Sequence, residues 1–131
     1  MILGIGTDVI DIKRIESVIN RYGNRFKKRV FTTKEIAKCE SRSLSINSYA
    51  KRYAVKEACS KALGTGFRRG VYWRDIEIIN NKSGKPELYL HNGALKILNN
   101  LTPPNCVTKI DVSITDEYPY AQAIVIITYE K

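Results

Sequence analysis

The sequence predicts a single α+β domain: a mostly antiparallel sheet with one long central helix. Three observations predict it. Short alternating apolar runs recur near both ends of the chain, at 2–10, 107–115 and 121–129. A helical stretch over 49–63 carries alanines at 50, 54, 58 and 62, one turn apart, which leaves a narrow face for close packing. A turn-rich segment, Asn80-Asn81-Lys82-Ser83-Gly84-Lys85-Pro86, separates two further short strands. The 131 residues suit one domain, and 44% hydrophobic content is enough for a core.

The elements follow in order. Residues 2–10 read as a first strand, and Gly4 and Gly6 within it permit close approach of another backbone. Asp11 is placed to cap a helix over 12–22. That helix presents an apolar face of Ile12, Ile15, Ile19 and Tyr22 and stops at Gly23. A different, largely basic face carries Arg14, Val18, Arg21 and Arg25. Thr32-x-x-Glu35 is a capping-box pattern that opens a short helix to about residue 40. The polar segment 41–48 leads into the long helix, which Gly64-Thr65-Gly66 ends. Residues 74–79 and 87–91 read as a hairpin. Residues 93–101 form a helix ended by Pro103-Pro104. The last two strands flank Asp116-Glu117-Tyr118-Pro119. Repeats, low-complexity tracts and linkers are absent from the sequence.

Charge narrows the partner. The chain carries +9, distributed unevenly. Residues 11–42 hold ten bases and four acids, and residues 43–75 hold seven bases and two acids. The remaining positions sum to −2. A basic N-terminal half points to a polyanion: nucleic acid, a phosphorylated cofactor or an acidic protein. No apolar run approaches the ~18 residues of a membrane span. The first residues lack the basic stretch of a secretory signal and carry Asp8 early. Three cysteines, 39, 59 and 106, are odd in number and fit no metal spacing, so reduced thiols of a cytosolic protein are expected.

The most informative stretch is Lys51–Gly66, where Glu57 stands among Lys51, Arg52, Lys56 and Lys61. Glu57 and Lys61, one turn apart, read as a surface ion pair worth only ~0.3–0.5 kcal/mol. Asp8, alone, reads as a turn or cap aspartate. Taken together, Asp8 and Glu57 offer the one or two carboxylates that Mg²⁺ takes beside water and phosphate oxygens. Lys61 would then neutralise a leaving phosphate. Gly64-Thr65-Gly66 serves as a helix stop or as a turn whose N–H groups approach a phosphate, although it lacks Walker P-loop order. His91, the only histidine, reads as structural or solvated, so a catalytic triad has no support.

These motifs resemble a known family. GIGTDVIDIKRI near the N-terminus, RVFTTKE at 29–35 and RYAVKEACSKALGTG at 52–66 are similar to the bacterial holo-[acyl-carrier-protein] synthases, the small-type 4'-phosphopantetheinyl transferases. SGKPELYL and VSITDEYPYAQAIVII follow in the same order, so the resemblance spans essentially the whole chain as one transferase domain, 1–131, with the 4'-phosphopantetheinyl transferase fold.

The resemblance implies a reaction. Coenzyme A gives its 4'-phosphopantetheine arm to a serine of apo acyl carrier protein, supporting fatty acid biosynthesis, and adenosine 3',5'-bisphosphate leaves. It implies Mg²⁺ on Asp8 and Glu57, and a catalytic set of Glu57, Lys61 and Asp8. Glu57, directly or through a water on the metal, is the candidate base. The implied coenzyme contacts are Arg52, Lys61, Gly64, Thr65, Gly66, Lys85 and Pro86. The acidic carrier protein would meet Arg14, Val18, Arg21, Arg25 and Phe26, with Arg29 a weaker match. A cytoplasmic homotrimer with its site between subunits is implied too.

One position departs from the family. Thr115-Asp116 stands where many members have serine-histidine near the coenzyme, so Asp116 either points away or contacts metal or water. Two rival readings are a small basic nucleic-acid-binding module, for which no RNP, KH or zinc pattern is present, and a non-catalytic carrier-binding protein.

Overall fold

A computed structural model describes residues 1–131. Ten elements run β1 (Ile2–Asp11), α1 (Ile12–Tyr22), α2 (Asn24–Val30), α3 (Thr33–Glu40), α4 (Ser45–Leu63), β2 (Ile76–Asn80), β3 (Pro86–Leu90), α5 (Asn92–Leu101), β4 (Val107–Glu117) and β5 (Tyr120–Glu130). A three-stranded antiparallel sheet has the order β1-β5-β4, and β2 and β3 form a separate hairpin. No helix is long and apolar enough to cross a membrane.

Alternation along the strands decides where the core sits. On β1, Gly6 and Ile10 face inward while Ile5 and Val9 are exposed. On the central strand β5, Ala121, Ala123, Val125 and Ile127 are fully buried. This inner face packs against α4, whose Ala50, Ala54 and Ala58 are likewise fully buried. The alanine face meets the glycines directly: a Cβ on Gly4 would run into the Ala62 carbonyl, and one on Gly6 into that of Ala58. Helix and strand therefore approach to a separation that no larger side chain allows.

The local signals act as expected at most boundaries. Asp11 Oδ1 accepts from Lys13 N at 2.9 Å, and Gly23 N donates to Ile19 O. The capping box of α3 is complete, with Thr32 Oγ1 accepting from Glu35 N and Glu35 Oε1 accepting from Thr32 N. Gly64 closes α4 at φ 80°, in the left-handed region.

Five expectations need correction. Residues 24–30, assigned no element from sequence, form α2. The helix α4 begins at Ser45, four residues early. Residues Trp73–Asp75 form a 3-10 turn, so β2 starts only at Ile76. Tyr22 lies outside the apolar face and is half-exposed. Lys56, counted among the surface bases, is wholly buried. Its ammonium pairs with Glu35 at 2.9 Å and donates to the carbonyls of Trp73 and Ile76. Burial pushes the Lys56 ammonium down, and the Glu35 carboxylate opposes that.

Candidate active site

The seam between α4 and β1 assembles the candidate site. Gly4, Gly6 and Asp8 share the inner face of β1, so the contact that admits α4 also carries Asp8 to the helix. Lys61 Nζ donates to Asp8 Oδ1 at 3.0 Å and to Thr7 O at 3.1 Å. This replaces the expected pairing of Lys61 with Glu57: the ammonium reaches across to the strand. The Asp8 side chain keeps 16% exposure against 52% for Lys61, so the pair lies at a rim open to solvent.

Glu57 sits next to this pair on α4. Burial, and next the charge of Asp8, push its carboxyl above the usual range, while Lys61, Tyr53 and Arg14 pull it back. Two carboxylates thus stand near enough to repel each other, with a lysine at one edge and the α1 arginine Arg14 at another. No third His, Cys, Asp or Glu joins them.

An aromatic stack backs the site. Tyr53 lies against Trp73 with ring centroids 4.7 Å apart, and Trp73 against Phe67 at 3.7 Å. Phe67 directly follows Gly64-Thr65-Gly66, so the stack pins the far end of that loop. Gly66 N donates to Ser60 O, and the loop glycines face open space. Phe26, on α2, lies 6.2 Å from Tyr53, which brings the predicted carrier face to the edge of the same stack. Arg14, Arg21 and Arg25 are exposed there, and Val18 and Phe26 are half-buried.

The remaining coenzyme candidates lie elsewhere. Arg52, Pro86 and Asp116 line a cavity of about 600 Å³ beside the start of α4, together with Lys51, Asn80 and Arg42. Arg52 is only 6% exposed. It donates from Nη1 to Ser48 Oγ and from Nη2 to Asn80 Oδ1, and its Nε has no partner. A buried guanidinium with only neutral partners suits an anion. Lys85 lines a different groove, between β3 and β4, of about 400 Å³. Lys61 lies nine positions after Arg52 on α4, about 13.5 Å along the helix axis. The residues expected at one site are thus divided among three places on one chain: the seam, the cavity and the β3–β4 groove.

The sequence matches the 4'-phosphopantetheinyl transferase superfamily over residues 4–121. The chain belongs to that superfamily. It is 54% identical to the holo-[acyl-carrier-protein] synthase of Nitrobacter winogradskyi, over 98% of this chain and 95% of the relative. The crystal structure of holo-[acyl-carrier-protein] synthase from Neisseria meningitidis superposes with a TM-score of 0.86 at 34% identity, covering 98% and 99% of the two chains. The Helicobacter pylori synthase, solved in complex with coenzyme A, gives 0.78 at 31% identity over 95% and 99%. The α+β fold class expected from sequence is therefore that of a phosphopantetheinyl transferase.

Within this superfamily member, Asp116 stands opposite a base. Its Oδ2 lies 4.0 Å from Lys51 Nζ at the cavity wall. The pairing spans 65 positions and involves a lysine that sequence reasoning left without a task. Tyr53 and Trp73 were missed likewise. Only the i to i+4 spacing of Tyr53 and Glu57 hints at their contact. His91, half exposed, places its Nε2 3.1 Å from Glu77 Oε1.

Proposed function

We propose that this chain transfers the 4'-phosphopantetheine arm of coenzyme A to a serine of apo acyl carrier protein, the whole of residues 1–131 acting as one transferase domain. The observation that carries the reading is the convergence of Asp8, Glu57 and Lys61 on the α4–β1 seam of a superfamily member. In the reaction the serine oxygen bonds to the phosphorus that carries pantetheine. The pyrophosphate P–O bond breaks, and adenosine 3',5'-bisphosphate departs with the electron pair. Glu57, its carboxyl raised by burial and by Asp8, takes the serine proton. Lys61 turns from Asp8 toward the departing phosphate and offsets its charge.

Two carboxylates that repel each other, with no third protein ligand, fit an ion that keeps several waters and takes phosphate oxygens. Asp8 and Glu57 would hold Mg²⁺, which when bound stabilises the charge that develops on the pyrophosphate. The buried, acid-free Arg52 favours placing the nucleotide end of coenzyme A in the 600 Å³ cavity, against Pro86. Gly64, Thr65 and Gly66 lie on the Lys61 side and would approach the pyrophosphate.

The carrier would dock on Arg14, Val18, Arg21, Arg25 and Phe26. Arg14 is close enough to act on Glu57, so a carrier held there presents its serine to the base. The separation of the cavity from the seam is resolved if chains assemble as a homotrimer, one chain's cavity completing its neighbour's seam. The exposed Ile5, Val9 and Ile124 on the outer sheet face suit such assembly. Three unpaired cysteines suit the cytoplasm, where the activity would serve fatty acid biosynthesis.

The test is mass spectrometry of apo carrier incubated with the chain, coenzyme A and Mg²⁺. One phosphopantetheine per carrier is expected, abolished by chelator and restored by Mg²⁺. A carrier that stays unmodified with Mg²⁺ present overturns the transfer. Undiminished transfer in chelator overturns the metal assignment.

A further inference from the structure

The cavity beside α4 contains one acid among its cations. Asp116, at the end of β4, faces Lys51 across 4.0 Å, and the two side chains are 41% and 36% exposed. A long, half-solvated pair of this kind contributes little to stability. It does, however, hold an ammonium and a carboxylate side by side at the wall of a cavity that already carries the buried Arg52, whose hydrogen-bond partners are neutral.

Coenzyme A offers such a cavity one remaining anion. Its phosphates are the pyrophosphate, whose bond breaks, and the monoester on the ribose 3'-oxygen. Under the function proposed above, on which this inference rests, Asp8, Glu57 and Lys61 serve the pyrophosphate. The cations of the cavity are left for the 3'-phosphate.

We propose that Lys51 and Asp116 form the selectivity pair for the 3'-phosphate: Lys51 leaves Asp116 for the incoming phosphate, and Asp116 sets the cost of that exchange. A phosphate near −2 outbids a carboxylate for an ammonium. The flexible four-carbon stem of Lys51 lets it swing between them. A ribose with a free 3'-hydroxyl gives Lys51 no reason to move, so the pair stays closed and the donor gains nothing from it. The price of the device is repulsion, since Asp116 stays beside the bound phosphate.

The test compares two nucleotides and two donors on the full chain. Calorimetry measures adenosine 3',5'-bisphosphate against adenosine 5'-monophosphate, and transfer is assayed from coenzyme A against dephospho-coenzyme A. Lys51→Met is expected to weaken the bisphosphate about tenfold and to leave the monophosphate within about twofold, with Lys51→Arg retaining most of the preference. Asp116→Asn is expected to tighten the bisphosphate several-fold, roughly threefold or more, without tightening the monophosphate. Both side chains are partly exposed, and melting curves check that each variant folds. If wild type transfers from coenzyme A but the variants shift both nucleotides equally, or neither, the selectivity pair is overturned and the transferase reading stands. If wild type transfers from neither donor, that reading fails and takes this inference with it.

Discussion

Glu57 shows how one side chain is made useful at a cost. Burial and the neighbouring Asp8 both disfavour its ionised form, which makes the carboxylate a better base and a worse structural element. Glu57→Gln removes the like-charge repulsion while keeping the shape. The variant is expected to melt at or slightly above the wild-type temperature and to lose about 10²-fold or more in kcat. Wild-type turnover in that variant would remove Glu57 from the machinery. The sequence was informative here only in part. Residue type and the helix spacing singled out Glu57 and Lys61, but local spacing cannot report that Lys61 reaches a strand 53 positions away. Lys56 misled for the same reason: nothing within one turn announces Glu35 or the carbonyls of Trp73 and Ile76.

At the scale of elements, what was legible was whatever has a local cause. Asp11, Gly23, Thr32 with Glu35, and Gly64 each mark an end by chemistry that acts within a few residues, and each end lies where expected. The helix α2 was not legible because it has no side-chain cap and packs four bases into seven residues. The start of α4 was hidden too, since Leu44 provides no capping hydrogen bond. Gly4 and Gly6 in a strand were legible as a place of close approach, and that approach positions Asp8. Gly6→Val therefore drives side-chain carbon into the Ala58 carbonyl. It is expected to destabilise the fold by about 1–3 kcal/mol or more in denaturant melts. Activity should fall more than the folded fraction does, because Asp8 moves with the strand. A loss of activity that merely tracks unfolding would show that the seam does not set the site.

For the whole molecule, the uneven charge expected from sequence is borne by exposed arginines on α1 and α2, yet Lys56 and Arg52 belong to the interior. The uncovered outer face of the sheet is the feature that composition could not reveal, since strand pairing alone places Ile5 and Val9 opposite the α4-facing glycines. If the proposed trimer forms through this face, the double variant Ile5→Glu with Val9→Glu will sediment as a monomer. It should retain its secondary structure and lose most transfer, at least about tenfold, because buried carboxylates without partners are costly at an interface. A variant that remains a trimer places the interface on another face.

Trp73 is the only tryptophan in the chain. It lies between Phe67, at the exit of the glycine loop, and Tyr53, beside Glu57. Its emission therefore comes from one location, with no second indole to subtract. The protein carries an optical reporter at the junction of its glycine loop and its central helix, readable without any label.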